Sequence, residues 1–269
     1  MTLTPTAPEA VGAQLEAHLR SRRAAGRKLL VPYVTGGYGD DWVDVVRAVA
    51  DAGADAVEVG VPFSDPVMDG PTIQRASELA LAAGATPGSI LDQLHGSDAG
   101  VPLAVMTYYN IADHWGLERF ASELAGAGVC AAILPDVPLE EVGPWTAAAD
   151  AAAVETVLLA APTAPDARLE RICARARGFV YAVGLLGVTG ARSALAATAT
   201  EIAGRCKAVT DRPVLVGVGV SDAAQARQAC TVADGVVIGS ALVDRLLAGE
   251  GPDGAARFVA EVRAALDAG

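Results

Sequence analysis

Two carboxylates carry the residue types and spacing that chemistry needs. Glu58 lies in the run Ala56-Val57-Glu58-Val59-Gly60-Val61, whose other members are small or β-branched. A carboxylate buried in such a run is costly unless it is paired or put to use. Strand alternation points Glu58 the same way as Ala56 and Gly60, two small residues that would leave room for a ligand. Glu58 is therefore either a glutamate hydrogen-bonded inside the fold or a group for acid–base work. Asp69 follows in a loop rich in Pro, Asp and Gly, Pro62-Phe63-Ser64-Asp65-Pro66-Val67-Met68-Asp69-Gly70. Asp-Gly is also ordinary turn chemistry, so Asp69 reads as a turn residue or as a second working carboxylate. Asp65 competes with it and reads as a residue that fixes the loop.

A second set is made of glycines. Gly190, Gly219 and Gly239-Ser240 each follow a β-branched run late in the chain. Bare backbone N–H groups at loop ends and at a helix N-terminus bind phosphate without Lys or Arg, and the Ser240 hydroxyl would add a donor. Any one of these glycines fits an ordinary tight turn; the trio fits a phosphate site better.

What the chain lacks narrows the reaction. Its two lysines, Lys28 and Lys207, stand before the first strand and inside a helical stretch, so a Schiff-base mechanism has no candidate. His18, His95 and His114 form no metal-ligand pattern, and no metal or other cofactor is expected. No G-x-S-x-G elbow is present. The remaining chemistry is proton transfer by carboxylates on a phosphate-anchored substrate.

The elements that must position these groups repeat. Strand-like runs occur at Leu29–Val34, Ala56–Gly60, Leu103–Thr107, Ala131–Leu134, Thr156–Ala160, Phe179–Val183, Val214–Val218 and Gly235–Ile238. Helical patterns lie between them at Trp42–Ala52, Thr72–Ala83, Leu117–Gly126, Val142–Ala152, Ala167–Ala176, Ala196–Val209 and Ala223–Cys230, with a last helix near Ala255–Leu266. Gly249 to Gly254 reads as a loop before that helix. Eight strands alternating with helices predict a closed (β/α)8 TIM barrel, preceded by a helix containing Leu15 and Leu19. In such barrels the site forms where the strands end. An open doubly wound sheet is disfavoured because no G-x-G-x-x-G follows the first strand. No domain boundary is visible, so residues 1–269 read as one barrel domain with a flexible tail over about residues 1–10.

Composition fits this reading. The chain has 269 residues, 52% hydrophobic but only 4% aromatic, so its core must be aliphatic, as in buried parallel strands. A net charge of −12 repels nucleic acid and anionic lipid, so neither is expected as a partner. The four cysteines are irregularly spaced and read as reduced thiols of a cytoplasmic protein. The N-terminus has neither the basic start nor the apolar stretch of a signal peptide.

The stretch from Asp55 to Gln74, with Glu58, the PFSDP run and the following DGPTIQ, resembles the signature of tryptophan synthase α subunits. The resemblance continues through Met106–Asn110, Leu134–Pro138, Gly187–Gly190, Gly217–Gly219 and Gly239-Ser240, nearly the whole chain. It implies a lyase that splits indole-3-glycerol phosphate into indole and glyceraldehyde 3-phosphate. Glu58 would be the principal acid–base and Asp69 the second catalytic carboxylate. Tyr181 and Tyr108 would contact substrate or catalytic groups. Thr189 and Gly190 would belong to a loop that closes over the substrate, and Gly219, Gly239 and Ser240 to the phosphate site. A β subunit, in an α2β2 heterotetramer, would carry any pyridoxal phosphate. Departures from the family pattern are Gly184 where serine is common, Gly37-Tyr38-Gly39 after the first strand, Met68, and no proline after Asn110. Alternatives are a free-standing indole-producing lyase, a catalytically weak regulatory paralogue, and another phosphate-barrel isomerase or epimerase.

Overall fold

The computed structural model describes residues 14–184, 192–217 and 219–268, the side chains of 14 and 192–197 excepted. The expected tail over residues 1–10 lies outside them. The chain begins with α1 (Gln14–Ala24), then β1 (Leu29–Thr35), α2 (Trp42–Asp51) and β2 (Val57–Gly60). Two helices follow, α3 (Pro71–Ala82) and α4 (Pro87–Leu94), before β3 (Leu103–Met106). Next come α5 (Tyr109–Trp115), α6 (Leu117–Gly126), β4 (Val129–Ile133), α7 (Gly143–Ala151) and β5 (Glu155–Ala160). The last third runs α8 (Asp166–Arg175), β6 (Val180–Ala182), α9 (Arg192–Val209), β7 (Val214–Val216) and α10 (Ala223–Ala229). It ends with β8 (Gly235–Ile238), α11 (Ser240–Leu247) and α12 (Gly251–Asp267).

The eight strands pair in parallel, each with the next, and β8 closes onto β1. This is the (β/α)8 barrel that the strand–helix alternation predicts. The strands are buried on both faces, as in parallel sheets generally. Residues of one parity, such as Leu30, Val34, Val57, Val59 and Val105, pack outward against the helices. Residues of the other parity, such as Leu29, Val31, Ala56, Ala104, Val157 and Phe179, fill the interior. Leu15 and Leu19 of α1 belong to that inner cluster, so α1 plugs the end of the barrel where the strands begin.

At the plugged end, buried acids are paired. Asp55 accepts hydrogen bonds from Leu30 N at 2.9 Å and Arg27 Nε at 2.7 Å, and Arg263 Nη1 approaches to 3.4 Å. Asp234 accepts from Val214 N at 2.9 Å, Lys207 Nζ at 2.8 Å and Arg23 Nη1 at 3.1 Å. Both lysines are thus at this end, Lys28 donating to the Ala233 carbonyl oxygen.

Three helical segments differ from the sequence reading. The stretch 249–254 is not a loop throughout, because α12 begins at Gly251. Pro252 in its first turn lacks the N–H that would go unbonded there, and Asp253 favours the positive end of the helix dipole. α4 and α5 were not foreseen. α4 is short and depends on a reciprocal capping box between Thr86 and Ser89. α5 has only seven residues, and its first N–H, on Tyr109, is bound by the carboxylate of Asp136 from beyond β4, at 2.9 and 3.2 Å. That partner is remote in sequence, so no local pattern announces the helix. Exposed His114 lies on α5.

Candidate active site

β2 ends in the open end of the barrel and carries Glu58. Its Cα pairs with Tyr33 on one side and Ala104 on the other, which fixes its side chain on the interior face. Glu58 is 1% exposed, and its Oε2 has no hydrogen-bond partner. Burial raises its pKa to about 8, and the negative charge of Asp69 adds to the rise. At neutral pH the carboxyl is thus mostly protonated, a proton donor held in a dry site.

Asp69 reaches the same region from the loop between β2 and α3. Its backbone oxygen accepts from Gln74 Nε2 of α3 at 2.8 Å, which ties the loop to the helix start. Burial raises the Asp69 pKa, and a hydrogen bond from the Tyr108 hydroxyl opposes the rise. Tyr108, which follows β3, also accepts from Met68 N at 3.1 Å and stacks on Phe63 with ring centroids 5.0 Å apart. Burial lifts the Tyr108 hydroxyl to about 12, so it stays a neutral donor. Met68 enters through its backbone N–H, so the unusual side chain there leaves this contact intact. Asp65 is exposed and accepts from its neighbour Ser64 Oγ at 2.5 Å, the local bond of a loop-fixing residue.

Tyr181 of β6 lies on the interior face, and burial followed by the charge of Glu58 raises its pKa well above that of a free phenol. A Cβ at Gly217 would stand 1.7 Å from Tyr181 Cε2. Gly217 therefore exists to seat this ring. Gly60 has the same relation to Tyr33, where a Cβ would come within 1.8 Å of the phenolic oxygen. The expectation that Gly60 leaves room for a ligand is corrected: Tyr33 fills that room. Tyr33 is the residue that the sequence reading missed. Its signal was present, because it is the one aromatic in Leu29–Thr35 and shares the phase of Leu29 and Val31.

The glycines expected at a phosphate site fall on adjacent strand ends, since β7 and β8 pair. Gly219 follows β7 with φ +83°, a conformation that side chains rarely adopt. Gly239 follows β8 and Ser240 opens α11, so a helix N-terminus stands at the barrel mouth as expected. A Cβ at Gly239 would meet only ordinary contacts, the nearest being Tyr33 Cβ at 3.8 Å. Thr189 and Gly190 lie outside the described residues.

A model of the tryptophan synthase alpha chain matches residues 19–267. The chain belongs to this family. It is 43% identical over 261 residues to the tryptophan synthase alpha chain of Thermobifida fusca, covering 95% of this chain and 97% of that one. With the Streptomyces coelicolor alpha chain it shares 45% identity over 242 residues, 88% of this chain and 89% of the relative. Among solved structures, tryptophan synthase from Mycobacterium tuberculosis superposes with a TM-score of 0.87 at 41% identity, over 95% of this chain and 98% of that chain. Tryptophan synthase subunit alpha from Legionella pneumophila superposes with a TM-score of 0.84 at 29% identity, over 94% and 98%. Likeness to this family along almost the full length disfavours a generic phosphate-barrel isomerase.

Proposed function

We infer that this chain is a carbon–carbon lyase of tryptophan biosynthesis, cleaving indole-3-glycerol phosphate to indole and glyceraldehyde 3-phosphate as the α subunit of tryptophan synthase. The observation that carries the reading is Glu58: buried, unpartnered at Oε2, and protonated to about pH 8 at the open end of a barrel of this family.

The cleavage needs an electron sink. Protonated Glu58 places its proton on indole C3, making a cationic ring. Glu58, now a carboxylate, takes the proton of the side-chain hydroxyl next to the bond between indole C3 and the glycerol phosphate. That C–C bond breaks, its electrons return to the ring, and the hydroxyl carbon becomes the aldehyde. One proton is given and one recovered, so the enzyme is restored. Asp69 accepts the indole N–H and stabilises the cation; as an anion it also makes Glu58 harder to ionise. The Tyr108 hydroxyl aims Asp69, and the Tyr181 ring walls the indole. Gly219, Gly239 and Ser240, with the α11 N-terminus, hold the phosphate through backbone N–H groups and a hydroxyl.

The proposed partner is a β subunit in an α2β2 assembly, and pyridoxal phosphate would belong to it, since Lys28 and Lys207 are bound at the plugged end. A cytoplasmic location fits; no helix among the described residues is long and apolar enough to cross a membrane. Indole release from indole-3-glycerol phosphate, assayed with and without a β subunit, tests the reading. No indole in either assay would end it, and full activity without any response to a β subunit would favour a free-standing lyase.

A further inference from the structure

Tyr33 stands in register with Glu58 on the adjacent strand, and Gly60 lies two residues beyond Glu58 on the same interior face. The Tyr33 phenol is held over the bare Cα of Gly60, so it lies on the side of Glu58 that faces the barrel mouth. From behind it packs against Ile73 and Ala76 of α3 and Val243 of α11. It is buried, at 7% exposure. Because Glu58 Oε2 has no hydrogen-bond partner, the neighbouring ring acts on that oxygen by filling volume and not by donating a proton.

Among the described residues, the titratable groups facing Glu58 are few. Asp69 comes from the loop after β2, Tyr108 from the segment after β3, Tyr33 from β1 and Tyr181 from β6. The interior residues of the other strands at this end, Ile133, Leu159, Gly217 and Val237, bear no charge. Asp69 is thus the one neighbour that brings a charge, and exclusion of water is the larger influence on Glu58.

We propose that Tyr33 is a positioning residue for the lyase reaction: its ring, seated in the space that Gly60 leaves, keeps water from the Glu58 carboxyl group and so sets the protonation state in which Glu58 meets the substrate. The role rests on the acid–base assignment of Glu58 above, but the seal itself is measurable without turnover.

The experiment is a carbon-13 NMR titration of the Glu58 carboxyl in protein labelled at glutamate, the signal assigned by its loss in Glu58→Gln. The parent should titrate near pH 8. Tyr33→Phe keeps the ring and should move the midpoint by less than about half a pH unit, whereas Tyr33→Ala admits water and should lower it by about one unit or more, a roughly tenfold loss of proton affinity. If Tyr33→Ala does not fold, Tyr33→Leu, which leaves the space over Gly60 empty, carries the same criterion. An unchanged midpoint in the folded Ala or Leu variant overturns the proposal, as does an equal shift in Tyr33→Phe. The alkaline limb of kcat/KM for indole release should follow the NMR midpoint downward. A midpoint that moves while that limb stays fixed would uphold the seal and sink the acid–base role of Glu58.

Discussion

Asp55 lies two residues before β2 and Glu58 is its second residue; both are buried, in opposite electrostatic surroundings. Asp55 meets Arg27, Arg22, Arg263 and the Leu30 N–H. Glu58 meets a second carboxylate, and one of its oxygens meets nothing. An ionised acid can stay buried when cations and N–H groups replace its water, so Asp55 holds the plugged end together. Without such partners the acid keeps its proton, which is the condition a general acid needs at neutral pH. Burial alone does not separate structural from chemical carboxylates; the partners do. Glu155 is the intermediate case. It accepts from Glu16 N at 2.9 Å, yet burial still raises it to about 7, so backbone N–H groups of α1 and the more distant charge of Arg177 offset the loss of water only in part.

The largest effects should come from exchanging the two carboxylates' roles. Glu58→Gln should lower indole release by ~10²–10⁴, with ligand affinity retained within about tenfold, because an acid–base group is lost and little volume changes. Asp55→Asn should do the reverse, costing about 3 kcal/mol in denaturant melts by taking the opposite charge from buried Arg263 and partly buried Arg27, while folded molecules keep their turnover. If Glu58→Gln turned over normally, or Asp55→Asn lost activity without losing stability, the contrast between the two ends would be wrong. Within the site loop, Asp69→Asn should be severely impaired and exposed Asp65→Asn healthy, compared by steady-state kinetics. The opposite result would interchange the two loop carboxylates.

The same contrast explains what the sequence made legible. β8 was read at its observed bounds, Gly235–Ile238, because glycine and aspartate punctuate a clean β-branched run. Glu58 and Asp69 were legible because a charge in a Val-rich run and an acid in a Pro–Gly loop are anomalies that a linear reading detects. The absence of a partner for Glu58 was not legible, since partners are remote in sequence: Asp55 finds Arg263, and Tyr109 finds Asp136. Gly60 looked like open space for the same reason. Alternation gives the direction in which a residue points, but not which ring from the next strand arrives there.

A smaller effect tests the protonation state directly. Folded Glu58 holds its proton to about pH 8, against 4.5 for an ordinary glutamate, so it binds that proton more tightly when folded. Its contribution to stability is then fully present below about pH 4.5 and lost as pH rises through about 8. Glu58→Gln does not titrate, so the variant should gain on the parent between pH 5 and pH 9. At about 1.4 kcal/mol for each pKa unit, and ~2–4 °C in Tm for each kcal/mol, the gain should be on the order of 10 °C. Glu155 titrates in both proteins and cancels in the difference. A difference in Tm that stays flat with pH would mean that folding does not hold the Glu58 proton.

The mouth of the barrel extends the comparison to groups that carry no charge. Gly219 and Gly239 are both read as phosphate-site glycines, but the structure gives them different reasons to be glycine. Gly219 has φ +83°, so any side chain there is strained before a ligand arrives. Gly239 has no such requirement, and a Cβ would touch its nearest neighbour at 3.8 Å. Gly239→Ala should therefore leave the thermal melt nearly unchanged yet weaken glycerol phosphate binding in calorimetry, by the ~1–3 kcal/mol typical of overfilling a tight site. Gly219→Arg should weaken both. Electrostatics alone predicts tighter binding there, because the new cation would face a dianion, but the side chain would occupy the phosphate's own volume in a conformation that disfavours it. Unchanged or tighter binding in folded Gly219→Arg would move the phosphate away from β7. Unchanged binding in Gly239→Ala would leave the helix N-terminus at Ser240 without a ligand to explain it.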